Sequence, residues 1–307
     1  MSGVTIVDIQ PQDDGMRLNR WFMKYYPYLP LSRLQKLLRT KQIKIDGKKA
    51  DIAVKLQSGQ HLRIPPLQDK PEVQGEHKIN NSDAEYIKSL VIYKDENIIV
   101  LNKPSGLAVQ GGTNTKKHID GMLEALRFEK DENPKLVHRI DKDTSGILVL
   151  ARDRQNAELL TTAFRKKDIA KTYLAIIQGV PDKNDILIDA PLLKQGERMI
   201  VSATGQRAIS ELHLIDALSN KFSLVYLSPK TGRTHQLRAH MQHIGTPILG
   251  DDKYFIKSRL KLNDVADKLY LHAYKIDLSS IYKGVIIEAK LPQHFVQALD
   301  VLGLELK

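Results

Sequence analysis

The sequence predicts an α+β protein in two parts: a small module of helices and a hairpin, then a larger mixed domain built on a largely antiparallel sheet. Three observations carry this. The chain is 307 residues long, about two domains at roughly 150 residues each. From Ser89 to Ala289 short aliphatic runs bounded by turn residues recur, without the regular strand–helix alternation of a parallel α/β fold. Charge is also segregated. The formal net charge is +11, and between Met16 and Pro65 twelve basic residues face only Asp46 and Asp51. The rest of the chain is nearly neutral. Excess charge packed into about fifty residues marks a module for a polyanion rather than a uniformly solvated surface.

Residues 1–15 are polar, with Asp8, Asp13 and Asp14. They read as an N-terminal extension and lack the basic-then-apolar order of a signal peptide. In residues 16–65, Leu18, Trp21 and Phe22 fall at i, i+3, i+4 and predict a helix over Arg17–Tyr25. Pro27 and Pro30 end it. Ser32 offers an N-cap for a second helix over Arg33–Thr40, with Leu34, Leu37 and Leu38 inward and Arg33, Lys36 and Thr40 on the other face. Gln42–Ile45 alternates into the Asp46-Gly47 turn, a hairpin signal. Leu62 and Ile64 mark a further strand ending at Pro65-Pro66. This pattern resembles the αL RNA-binding module shared by a small-subunit ribosomal protein and bacterial tyrosyl-tRNA synthetase. The resemblance implies RNA contacts from Arg17, Arg33, Lys36, Arg39, Lys41, Lys44, Lys48 and Lys49.

Residues 66–83 hold Pro71, Gly75, Asn80 and Asn81 with little periodicity and read as a linker. In residues 84–307, strands are expected at Ser89–Tyr93, Ile98–Asn102, Ile147–Ala151, Lys171–Ile177, Phe222–Leu227, Tyr270–Leu278 and Val285–Ala289. Ile200–Ser202 and Ile209–Ile215 read as a hairpin about Thr204-Gly205. Helices are expected at Lys117–Phe128, Asp153–Lys166, Thr234–His243 and His294–Leu302.

Two polar clusters sit beside strong strands. One runs from His138 to Ser145, the other from Thr231 to His240. An Asp in the first and an Arg in the second invite pairing. An aspartate that acts as nucleophile or base must be ionised, which burial disfavours and a neighbouring guanidinium favours.

His138-Arg-Ile-Asp-Lys-Asp-Thr-Ser-Gly146 resembles the signature of the RluA-type pseudouridine synthases. The family's other blocks follow in order: Asn102-Lys-Pro-Ser-Gly106, Lys171-Thr-Tyr-Leu-Ala175, Thr231-Gly-Arg-Thr-His-Gln-Leu-Arg238 and Leu271-His-Ala273. Ile140 and Leu237 are volume-conserving departures from the usual residues. Gly106–Gly112, Gly196–Ile200 and Leu224–Arg233 look most like the RluC branch, which modifies 23S ribosomal RNA of the large subunit. The resemblance implies isomerisation of uridine to pseudouridine in RNA without cofactor or metal, on a base flipped out of the RNA. It makes Asp141 the catalytic aspartate and Arg233 its ion-pair partner. It gives Tyr173 the role of stacking on the uracil and Arg139 that of filling the vacated space. Leu237 becomes an apolar contact below the base, and His138 orients the loop.

Rival readings fare worse. Ser145, His138 and Asp143 are too close in sequence for a hydrolase triad, and the Gly-x-Ser-x-Gly elbow is missing. His235, His240 and His243 put at most two side chains on one helical face, short of a zinc site. A non-catalytic RNA-binding or ribosome-assembly factor is opposed by the intact Asp141, Tyr173 and Arg233. No apolar run approaches the ~20 residues that span a bilayer. The absence of cysteine excludes disulfides and suits a reducing cytoplasm. A monomer is the default expectation.

Overall fold

The computed structural model describes residues 3–67, 79–111, 117–218, 220–255 and 265–306. Most of the expected linker, and Gly112, lie outside them. The chain divides into two compact units, Met1–Lys78 and Ile79–Lys307.

The first unit packs α1 (Leu18–Tyr25) and α2 (Leu31–Arg39) on a four-stranded sheet of β1 (Thr5–Asp8), β2 (Lys44–Ile45), β3 (Lys48–Lys49) and β4 (His61–Ile64), in the order β1-β4-β2-β3. Leu18, Trp21, Phe22, Leu34, Leu37 and Leu38 share one core with Ile43, Leu62 and Ile64, so both helices bury the expected stripes. Asp46 and Gly47 carry positive φ, as a two-residue hairpin turn requires. Two expectations change here. The segment before Met16 is no mere extension: β1 pairs antiparallel with β4. Asp13, 1% exposed, accepts hydrogen bonds from Lys24 Nζ at 2.8 Å and Tyr25 OH at 2.7 Å. The second helix also starts earlier, at Leu31. Pro30 is its N-cap and Ser32 lies inside its first turn.

The second unit opens with α3 (Asn81–Ser89), begun by Asn80, whose side chain accepts from the Asp83 amide. The expected linker therefore ends early, and Ser89 closes a helix rather than opening a strand. The main sheet comprises β5 (Val91–Lys94), β6 (Ile98–Lys103), β7 (Lys135–Leu136), β8 (Ser145–Ala151), β9 (Ala170–Gln178), β10 (Asp185–Asp189), β13 (Ile209–Leu218), β14 (Phe222–Pro229), β15 (Leu271–Asp277) and β16 (Ile286–Glu288). Its order is β10-β13-β14-β9-β15-β8-β6-β5, with β16 on β15 and β7 on β8. Among these pairings only β15 with β8 is parallel. β11 (Leu192–Gln195) and β12 (Arg198–Val201) form a separate hairpin. Ile200 therefore pairs with Leu193, and β13 pairs instead with β10 and β14. The turn signal at Thr204-Gly205 could not reveal that partner exchange.

Three helices cover the sheet: α4 (Arg154–Lys166), α5 (Gln236–His243) and α6 (Gln293–Leu302). The Asp153 side chain caps α4 by accepting from the Asn156 amide. Lys117–Phe128 condenses into a 3₁₀ segment, Asp120–Leu126, that buries Met122, Leu123 and Leu126. β8 is buried at every position, as its unbroken aliphatic run demands.

Candidate active site

Register brings the clusters together. Gly146 on β8 pairs with Ala273 on β15, and Ala273 pairs with Tyr173 on β9. Tyr173 in turn pairs with Leu227 on β14. The loop entering β8, the start of β9 and the turn leaving β14 thus meet at one end of the sheet. Gly146 has φ +103°, and a Cβ there would collide with the backbone of Ala273. Only glycine permits that approach, which sets the preceding loop beside β15.

The Asn102–Gly106 block grips the same loop. Buried Lys103 donates from Nζ to the carbonyls of Pro104, Leu107 and Lys142 at 2.8–2.9 Å. Ser105 Oγ donates to the Asp143 carbonyl at 2.8 Å, and the Gly106 amide to that of Lys142 at 2.9 Å. Burial pulls the Lys103 pKa down to about 7, with Asp143 and Asp141 pulling the other way. Ser145 Oγ and His272 Nδ1 lie 2.9 Å apart, and His272 Nε2 lies 3.3 Å from the Ala289 carbonyl. His138 is structural, as expected. Its Nε2 accepts the Val149 amide at 2.8 Å, and its ring stacks on Phe164. Burial, then the nearby Lys171 charge, lowers its pKa to about 3, so the ring is neutral.

Asp141 stands in a cleft of about 340 Å³ with His138, Arg139, Tyr173, Arg233, His235, Leu237 and Arg238 among its lining residues. That volume lies at the low end of the ~300–1,000 Å³ usual for small-ligand sites. A second cleft, of about 430 Å³, shares Arg139, Ile140, Asp141, Gly232 and Arg233 with the first and extends to Ala108–Gly111. The carboxylate therefore lies where two hollows meet. Leu237 forms buried floor, 6% exposed. Tyr173 packs against the same core, and burial, reinforced by the Asp141 charge, raises its pKa well above the ordinary phenol value. It remains a neutral phenol at neutral pH. Arg139 is exposed at the rim.

One expected pairing is corrected. Arg233 does not form the ion pair with Asp141; its Nε donates to the Arg207 carbonyl at 3.1 Å. The partner is Arg238, whose Nη1 lies 3.5 Å from Asp141 Oδ2. Arg238 is 2% exposed and is gripped by Asp251 through two bonds of 2.7 Å. Burial opposes its charge, and the hydrogen bonds and charge of Asp251 outweigh that, so its proton is held more tightly than usual. Both arginines stand in the same block, and the sequence offers no sign that Asp251 fixes the second. His235 was also missed as a neighbour of Asp141: its Nε2 lies 3.9 Å from Oδ2. The other polar members of that block build the turn. Gln236 accepts from Thr231 Oγ1 and the Arg233 amide and donates to the Ile209 carbonyl and Ser210 Oγ. His240 lies within 3.0 Å of Ser210 Oγ and the Ala190 carbonyl.

A partly buried carboxylate, backed by a buried guanidinium, thus shares its cleft with a neutral tyrosine. The family described as RNA pseudouridylate synthase matches residues 97–243. A ribosomal large subunit pseudouridine synthase C of Rickettsia typhi is 36% identical over 296 residues, covering 92% of this chain and 96% of that one. The protein of that name from Vibrio vulnificus is 35% identical, covering 89% and 88%. Among solved structures, human RNA pseudouridylate synthase domain containing 4 superposes with a TM-score of 0.64 at 30% identity, covering 73% of this chain and 96% of that one. With the family match over residues 97–243 and relatives matching almost end to end, this chain belongs to the RNA pseudouridylate synthase family.

Proposed function

We propose that the protein isomerises specific uridines to pseudouridine in large-subunit ribosomal RNA, with Asp141 as the catalytic carboxylate. The observation that carries the reading is Asp141 at the junction of two clefts, 3.5 Å from a buried guanidinium. The isomerisation breaks the N1–C1′ bond, forms a C5–C1′ bond, removes a proton from C5 and returns one to N1. Nothing is oxidised or added, so no cofactor is required. Asp141 serves either as nucleophile or as the base that draws a proton from the 2′ carbon. A paired base is beyond reach inside a helix, so the uridine flips into the cleft. Tyr173 stacks on the uracil, a contact of about 1–3 kcal/mol, and Leu237 supports it from below. Arg139 occupies the space left in the RNA.

The first unit supports RNA affinity. Arg17, Arg33, Lys36, Arg39, Lys41, Lys48 and Lys49 are exposed and Lys44 half-buried. None joins an ion pair among the described residues, which leaves their charge available to phosphates. The same reading has the protein act as a monomer in the cytoplasm. Among the described residues, no helix is long and apolar enough to cross a membrane.

Tritium release from large-subunit ribosomal RNA labelled at uridine C5 tests the proposal. Asp141→Asn should lower the rate at least about 10³-fold while RNA still binds. Equal rates in wild type and variant would refute the assignment.

A further inference from the structure

Tyr254 is fully buried beside the cleft, with its ring edge-on to His235 at 5.6 Å and 5.3 Å from the Arg238 guanidinium carbon. Its hydroxyl accepts the Met199 amide N–H, from the β11–β12 hairpin, at 2.7 Å. The same hydroxyl lies 2.9 Å from His235 Nδ1. Among the described residues it has no other hydrogen-bond partner. His235 itself has φ +50°, a left-handed backbone that a non-glycine side chain adopts at a cost. Its other ring nitrogen faces Asp141.

We infer that Tyr254 is a positioning residue: it fixes His235 in the tautomer that carries its proton on Nε2 and so presents a donor, rather than a lone pair, to Asp141. The inference rests on the reading of Asp141 as the catalytic carboxylate. Two considerations choose this tautomer. The phenol has one proton, and Met199 already donates to its oxygen, so the remaining acceptor for that proton is Nδ1. In the opposite tautomer, the buried phenol proton would have no acceptor, which costs about as much as any unsatisfied buried donor. The imidazole lone pair would also confront the carboxylate. Burial keeps His235 below its ordinary pKa despite the opposing pull of Asp141, with Arg238 and Lys253 acting in the same direction as burial, so the ring is neutral and its tautomer matters. The relay runs by hydrogen bonds from a hairpin backbone amide through Tyr254 to His235, whose Nε2 then stands 3.9 Å from the carboxylate. Movement of β11–β12 would thereby reach Asp141.

Long-range ¹H–¹⁵N correlation spectra of the full-length protein labelled at histidine read the tautomer directly, with His235→Gln supplying the assignment. The wild type should show Nε2–H. Tyr254→Phe keeps the ring over Arg238 and removes only the hydroxyl. It should release His235 into a tautomer mixture and slow single-turnover isomerisation roughly tenfold, with RNA affinity unchanged. A wild-type Nδ1–H form would overturn the inference, and this needs no variant to fold. So would Tyr254→Phe retaining either a pure Nε2–H form or the full rate. The spectra do not depend on activity, so a failure of the Asp141 assignment remains distinguishable from a failure of this relay.

Discussion

Arg238 reaches three carboxylates at once, Asp141, Asp251 and Asp252, in a planar geometry that a lysine's single ammonium cannot match. Its planar fork meets Asp251 through Nε and Nη2 and leaves Nη1 for Asp141. Arg238→Lys should therefore cut kcat about 10–100-fold, whereas Arg233→Lys should change kcat less than about threefold and act mainly on KM. Steady-state kinetics on one RNA substrate separates the two, and equal kcat losses would restore Arg233 as the partner. Removing Asp251 should hurt stability as well, because breaking a buried ion pair costs about 3–5 kcal/mol. The pH dependence of stability also resides in single residues. His138 titrates near 3 in the folded protein and near 6.5 when unfolded. Between those values the unfolded chain binds the extra proton, so stability rises with pH and is lost as pH falls below about 6.5. His272, lowered by burial to about 4, acts in the same sense. Urea unfolding from pH 7.5 to 4.5 should show this slope, and His138→Gln should reduce it.

At the scale of elements, β8 fixes the site. Its buried run and the close approach of Gly146 to Ala273 leave the loop before it almost no freedom. Gly146→Ala should destabilise the protein by about 3 kcal/mol or more, from the strained φ and the backbone clash together. A denaturant midpoint equal to wild type would contradict that geometry. Much at this scale was legible in the sequence. Leu34, Leu37 and Leu38 repeat at helical spacing, Asp46-Gly47 demands a tight turn, and Ile147–Ala151 is too apolar to lie anywhere but inside. What stayed hidden depends on distant partners. β1 is recognisable only once β4 is beside it. Ile200 pairs with Leu193 across a short turn, although Thr204-Gly205 carries the stronger turn signal. Arg233 and Arg238 are alike within their block until Asp251, thirteen residues beyond the second, claims that arginine.

For the whole molecule, the proposed function assigns affinity and chemistry to different parts of the chain. The excess charge lies in the first unit and the cleft carboxylate, Asp141, in the second. Replacing Lys36, Arg39 and Lys48 together by Gln should weaken RNA binding and shrink the salt slope of log K by roughly 2, at about 0.7–0.9 for each phosphate no longer neutralised. The single-turnover rate on saturating RNA should hold. A salt slope unchanged by the triple substitution would move the RNA-binding surface elsewhere. The proposed function stands on Asp141 acting on ribosomal RNA. Its most direct test maps pseudouridines across large-subunit ribosomal RNA from cells whose only copy of this protein carries Asp141→Asn. Particular sites should revert to uridine there, and pseudouridine should return when the wild-type chain is supplied. An unaltered pseudouridine map would contradict it.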